Sequence, residues 1–247
     1  MITVKNIFKS FGDKPVLEDI SYAFEPGKNN LIIGQSGSGK TVLMKCIIGL
    51  FHVDKGDVIY DERVFSGMKK KELKEVYREI GMLFQAGALY DYMTVEENVM
   101  FPLSMFTKDA YDKKLKRVNF CLERVNLKDS NKLMPSELSG GMVKRVAIAR
   151  AISMNPKYLF CDEPNSGLDP KTAELIDDLI NEITKEYKIT TIVNTHDMNS
   201  VLNIGDNIAF IHQGQLWWQG TKKDILSTTN KELNEFVFST ELTRRLK

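Results

Sequence analysis

The spacing of apolar and polar positions divides the chain into short elements. Residues 1–8 and 21–24 read as strands joined by turns, and residues 31–33 form a brief apolar strand. Glycines follow, and then an amphipathic stretch over 42–50 predicts a helix. Residues 56–65 alternate around Asp61 and Glu62, which predicts a hairpin. Residues 68–80 are charged and helical, and the lysines at 69–71 read as a solvated face. From about 94 to 156 no clear strand is found and the pattern is helical. Apolar, β-prone runs at 158–161 and 190–194 flank a helix at 172–187. That βαβ rhythm predicts a parallel sheet. Residues 208–219 read as a late hairpin turning at Gln213 and Gly214. The tail from 223 to 247 is amphipathic, reads as a solvated helix, and ends in Arg244, Arg245, Leu246 and Lys247.

Composition narrows the class. The 247 residues are 43% hydrophobic and 27% charged, the balance of an ordinary globular protein with a substantial core. A formal net charge of +1 excludes the strong basic excess of a sequence-independent nucleic-acid binder. The start of the chain lacks the apolar stretch of a signal peptide, and no run reaches the roughly 18 apolar residues of a spanning helix. Any membrane role therefore has to come through a partner. Cys46, Cys121 and Cys161 have no metal-type spacing and are expected to be reduced and buried.

Three segments carry chemistry. Gly34, Gln35, Ser36, Gly37, Ser38, Gly39, Lys40 and Thr41 fit G-x-x-x-x-G-K-[ST], after an apolar strand and at the opening of a helix. Glycines let backbone N–H groups converge on phosphate oxygens, and the helix start adds its positive end. Lys40 has the reach for the β- and γ-phosphates, and the Thr41 hydroxyl is a ligand for Mg²⁺. Second, the apolar run YLFC ends in Asp162 and Glu163. Paired carboxylates at the end of a buried strand need a reason, since desolvating charge is costly. Asp162 suits Mg²⁺ held through water, and Glu163 suits a base that polarises the attacking water. Third, Ser139, Gly140 and Gly141 precede a helical stretch that ends at Asn155 and Pro156. Ser139 reads either as a plain N-cap or as part of a second anion site; spacing leaves both open.

The ordered set GQSGSGKT, Gln85, LSGGM at 138–142, YLFCDEP, SGLD at 166–169 and His196 resembles the ABC ATPases over nearly the whole chain, from Phe11 to about Gly220. The resemblance implies an α/β P-loop core with a mostly parallel sheet, an antiparallel β subdomain and a helical subdomain near 90–155, together spanning 1–222. It implies that Phe11 stacks on adenine, where the residue alone could be a core aromatic. Gln85 would bind Mg²⁺ or the lytic water and report to a membrane subunit. His196 would hold the γ-phosphate and orient Glu163. Ser139, Gly140, Gly141 and Asp169 would act across a homodimer with two composite ATP sites, although Asp169 could equally cap the next helix.

The fifth signature position, usually Gln, is Met142 here; the anion contacts come from Ser139 and backbone N–H groups, so activity is expected to survive. Two longer runs, FQAGALYD at 84–91 with Thr94, Val95, Glu97, Asn98 and Val99, and LMPSELSGGMVKR at 133–145, are similar to the ATPases of Mla-type phospholipid transporters, the MlaF family. That resemblance implies an MlaE-like permease, an MCE-domain lipid-binding protein and the cytoplasmic face of a bacterial inner membrane. The alternatives are a transporter ATPase for an amino acid or a lipoprotein, and a soluble ABC ATPase acting on ribosomes or DNA. The single ATPase domain, the lack of a coiled-coil insertion and the balanced charge disfavour the last.

Overall fold

The structure is a computed structural model and describes residues 1–238. The chain opens with β1 (Ile2–Phe11), β2 (Lys14–Phe24), β3 (Asn29–Ile33), α1 (Lys40–Ile47), β4 (Lys55–Tyr60), β5 (Arg63–Val64) and α2 (Lys70–Arg78). β6 (Ile80–Leu83), α3 (Val95–Phe106), α4 (Tyr111–Arg124), α5 (Gly140–Ile152), β7 (Tyr158–Asp162) and α6 (Pro170–Tyr187) follow. It continues through β8 (Thr190–Thr195), α7 (Met198–Ile204), β9 (Asn207–His212), β10 (Gln215–Gly220), α8 (Lys222–Leu226) and α9 (Lys231–Val237). The chain divides into two compact units, one made of residues 1–73 with 190 onward and one of residues 74–189.

In the first unit an antiparallel sheet has the order β2-β1-β4-β5. The opening hairpin is longer than the sequence suggested: Ile2 pairs with Phe24 and Phe11 with Lys14, so polar residues between 9 and 20 are strand too. Those residues are largely exposed, and solvent-facing strand carries no apolar signal to read. A second group of strands has β3 running parallel between β8 and β9, with β10 antiparallel to β9. β3 starts at Asn29 rather than Leu31. Asn30 is fully buried and donates to the carbonyls of Glu25 (3.0 Å) and Thr191 (3.1 Å), so its amide is compatible with a core strand. The hairpins turning at Asp61 and at Gln213–Gly214 stand where the sequence put them, with Asp61, Gln213 and Gly214 at positive φ.

In the second unit β6 and β7 pair in parallel, Ile80 with Tyr158 through Leu83 with Cys161. α3, α4 and α5 pack on one another. β6 is only four residues long and contains Gly81, so local pattern alone did not reveal it. α3 opens with a capping box: Thr94 Oγ1 accepts from the Glu97 N–H while Glu97 accepts from the Thr94 N–H at 2.8 Å. All three cysteines are free and buried. Among the described residues no helix is long and apolar enough to cross a membrane. The expected basic end of the tail, Arg244 to Lys247, lies outside the described residues.

Candidate functional site

The phosphate-loop residues belong to the first unit. β3 is buried along its length and ends at Gly34, where φ is +149° and an added Cβ would run into the Ile211 carbonyl oxygen. Only glycine fits there, and that fixes where the loop leaves the sheet. Lys40, a residue only 7% exposed, folds back over the loop: its ammonium donates to the carbonyls of Gly34 (2.8 Å) and Gln35 (3.0 Å). α1 begins at Lys40, and its N-cap, Gly39, supplies no side-chain acceptor to the first-turn N–H groups. Ser38 Oγ is buried with no hydrogen-bond partner among the described residues. A buried orphan hydroxyl, a glycine-lined turn and an uncapped helix start together fit a bound phosphate group, which would satisfy all three.

Two more expected residues belong to this unit. Ile33 of β3 pairs in parallel with Thr195 of β8, so Gly34 and His196 leave the same end of neighbouring strands. His196 is exposed, and Asp197 beside it caps α7 by accepting from the Asn199 N–H at 2.9 Å. Phe11 ends β1 and is 46% exposed. It meets Phe51 edge-on at 5.2 Å, and the Lys9 ammonium lies 5.4 Å from its centroid. An aromatic held at its edge with surface to spare is suited to stacking on a base.

The second unit holds the carboxylates, Gln85 and the signature residues. Because Leu83 pairs with Cys161, the ends of β6 and β7 bring Gln85 beside Asp162 and Glu163. Glu163 has φ +49°, a left-handed conformation that costs a non-glycine residue about 1–2 kcal/mol. Such strain persists only where surroundings impose it. Ser166 N–H donates to the Glu163 carbonyl at 3.2 Å, and Gln85 Nε2 donates to Ser166 Oγ at 3.3 Å.

Ser139 is the N-cap of α5, accepting from the Met142 N–H at 3.3 Å. Gly140 and Gly141 form the first turn, and a Cβ on Gly141 would sit 2.6 Å from Thr172 Cγ2, so glycine here lets α5 approach α6 closely. Asp169 caps α6, accepting from Thr172 N–H at 3.0 Å and Thr172 Oγ1 at 2.5 Å. The Thr172 hydroxyl and amide hold the Asp169 carboxyl below the usual carboxylate range. Both capping roles left open by the sequence are thus present. A groove of about 860 Å³ runs past Ser139, Gly141, Asp169, Thr172, Arg145 and Leu175.

Three residues to which no role was assigned from the sequence organise this unit. Lys144, one turn into α5, donates to the carbonyls of Gln85 and Glu163. Arg150 donates to the carbonyls of Gly87 and Ala88, both at 2.6 Å, and burial lowers its guanidinium pKa. Asn98, fully buried, accepts from the Tyr90 N–H (2.8 Å) and donates to the carbonyls of Tyr90, Met93 and Thr94. For Lys144 and Arg150 the available signal was the three cations in VKRVAIARAI, a run otherwise apolar enough to be buried.

The ABC transporter family model matches residues 17–166, more than half of the chain. The chain belongs to the ABC transporter family. Its fold is that of the ABC ATPases, and it is an ATP-binding, ATP-hydrolysing subunit. It is 38% identical over 244 residues to the methionine import ATP-binding protein MetN of Clostridium tetani, covering 98% of this chain and 76% of that one. It is 35% identical over 237 residues to the intermembrane phospholipid transport system ATP-binding protein MlaF of Haemophilus influenzae, covering 96% and 90%. Among solved structures it is similar to the ATP-binding cassette MJ0796, a dimer in a post-hydrolysis state bound to ADP and Pi. That match has a TM-score of 0.82 and 31% identity over 90% of this chain and 99% of that one. It is also similar to cbiO1 of Clostridium perfringens, part of the cbiONQ transporter complex, with a TM-score of 0.85 and 29% identity over 99% and 96%. The MetN and MlaF relatives are comparably close, so the family is shown and the cargo is not.

Proposed function

We propose that this chain is the ATPase subunit of a phospholipid transporter, acting as a homodimer on an integral membrane permease at the cytoplasmic face of a bacterial inner membrane. The ATPase domain occupies 1–222 with its helical subdomain near 90–155, and the tail begins at 223. Phe11 stacks on adenine. Residues 34–41 hold the phosphates, with Lys40 on the β- and γ-phosphates. Thr41, Asp162 and Gln85 would hold Mg²⁺, which would supply charge neutralisation at the phosphate oxygens. Glu163 accepts the proton of a water that attacks the γ-phosphorus, as the bond to the bridging oxygen breaks and ADP leaves. His196 steadies the γ-phosphate and Glu163. Ser139, Gly140, Gly141 and Asp169 serve the nucleotide of the second copy.

One observation carries the transport-coupled reading. The loop after Gln85 is small, apolar and moored from beneath by Arg150 and Asn98. It borders a cavity of about 360 Å³ lined by Tyr77, Phe84, Ala88, Tyr90, Phe101 and Phe106. Tyr90 packs on Phe101 at 4.8 Å, and Tyr92 is 75% exposed. A rigid apolar seat with exposed aromatics suits a short helix from a permease. Phospholipid as cargo rests on the runs at 84–99 and 133–145 and on the MlaF relative. The second reading, amino-acid import, rests on the MetN relatives. Affinity purification of the full chain from native membranes, with identification of the co-purifying permease, tests both. An MlaE-like permease with an MCE-domain protein and bound phospholipid is expected; an amino-acid permease would move the assignment to the second reading.

A further inference from the structure

Lys144 lies in the first half of α5, and its residue is only 4% exposed. Its ammonium donates to two carbonyls from different segments, Gln85 after β6 and Glu163 after β7, the latter at 3.4 Å. Two further bonds close a circuit: Gln85 Nε2 reaches Ser166 Oγ, and Ser166 N–H reaches the Glu163 carbonyl. Every member lies within residues 85–166. The circuit grips Glu163 by its backbone, where φ is +49° and the chain would otherwise relax.

We propose that Lys144 is a positioning residue for ATP hydrolysis: it holds the backbone of Glu163 in its left-handed turn and ties it to the loop that carries Gln85. The proposal rests on the reading of Glu163 as the base. A buried cation on two carbonyl dipoles is a specific choice. A neutral aliphatic side chain of the same length would fill the volume and leave both carbonyls without this donor. The circuit also gives the Gln85 loop a mechanical path to the base. A displacement of the loop pulls on the Gln85 carbonyl, the Lys144 ammonium and the Glu163 carbonyl in series, without passing through the nucleotide.

The test is steady-state ATP hydrolysis by the full chain across ATP concentration, for wild type, Lys144→Met, Lys144→Arg and Glu163→Gln, with nucleotide affinity and Tm measured on each. Lys144→Met is expected to lower kcat by about 10²-fold, as a misplaced catalytic group does, with KM, nucleotide affinity and fold retained. Lys144→Arg, which still offers donors to two carbonyls, is expected to recover most of that loss. Wild-type turnover in Lys144→Met beside an inactive Glu163→Gln would overturn the proposal and leave the base in place. A parallel loss of nucleotide affinity and Tm, or no recovery in Lys144→Arg, would reduce Lys144 to a packing residue. Normal turnover in Glu163→Gln would remove the base reading itself, and the role of Lys144 with it.

Discussion

The side-chain amide of Gln85 donates to Ser166 Oγ at 3.3 Å although 81 residues separate them. The parallel pairing of β6 with β7 explains the meeting, because Leu83 opposite Cys161 places the next residues of both strands at one edge. Gln85, on the loop that borders the apolar cavity, therefore shares a hydrogen-bonded circuit with the residues that follow the paired carboxylates. A loop rearranged by a docked partner would be felt at Glu163 through bonds already in place.

Lys40→Ala should weaken MgATP binding by about 10²-fold or more, since it removes a charge-assisted contact to the triphosphate. The same ammonium bonds the Gly34 and Gln35 carbonyls, so Tm has to be followed alongside. Nucleotide titration of the purified chain gives the answer. Affinity within a few-fold of wild type, in a folded variant, would remove Lys40 from the phosphate site.

Leu89→Asp and Tyr90→Asp should each weaken co-purification with the permease, because a carboxylate would be desolvated in the apolar seat. The Tyr90 ring packs on Phe101, while its backbone is fixed by Asn98, so the side chain can change without freeing the loop. ATP binding by the isolated subunit should persist. Intact assembly with both substitutions would end the docking reading, and lost nucleotide binding would point to misfolding instead.

The phosphate loop and the strand-end carboxylates were legible because their chemistry is compressed into contiguous residues with a strand before them. Of the second unit, residues 94–156 were legible only as helical. Its circuit joins residues 85, 144, 163 and 166, and no local period links these positions. Lys144 and Arg150 illustrate the limit: along the chain they are two cations on a helix, and only packing reveals that both point at carbonyls of the Gln85 loop. Asp169 and Ser139 show the converse, since the capping geometry readable from the sequence is what the structure contains. β6 escaped notice because four residues with a central glycine resemble a break.

Glu96 links α3 to its surroundings, and its side chain is 8% exposed. It accepts from Tyr111 OH at 2.6 Å and Asn131 Nδ2 at 2.9 Å, with the Lys132 ammonium at 3.6 Å. Burial alone would raise this carboxyl; the bonds from Tyr111, Asn131 and Lys132 outweigh it and hold it below its ordinary value. A carboxyl lowered by folding stabilises the native state above its unfolded pKa of about 4.3, and that stability fades as pH falls through the lower, folded value. Glu96→Gln should therefore lower Tm by a few degrees at pH 7, and the deficit should close in acid. A deficit independent of pH would show that the charge is not what stabilises this contact.

Glu163→Gln bears most directly on the claim that the strained residue after β7 carries the chemistry. Steady-state ATP hydrolysis in the assembled transporter is the measurement, with nucleotide occupancy followed in the same sample. The variant should bind MgATP at wild-type affinity and trap a closed dimer, while turnover falls by about 10²–10⁴-fold, the usual contribution of a positioned base. Turnover at the wild-type rate in a nucleotide-bound, fully assembled complex would contradict it.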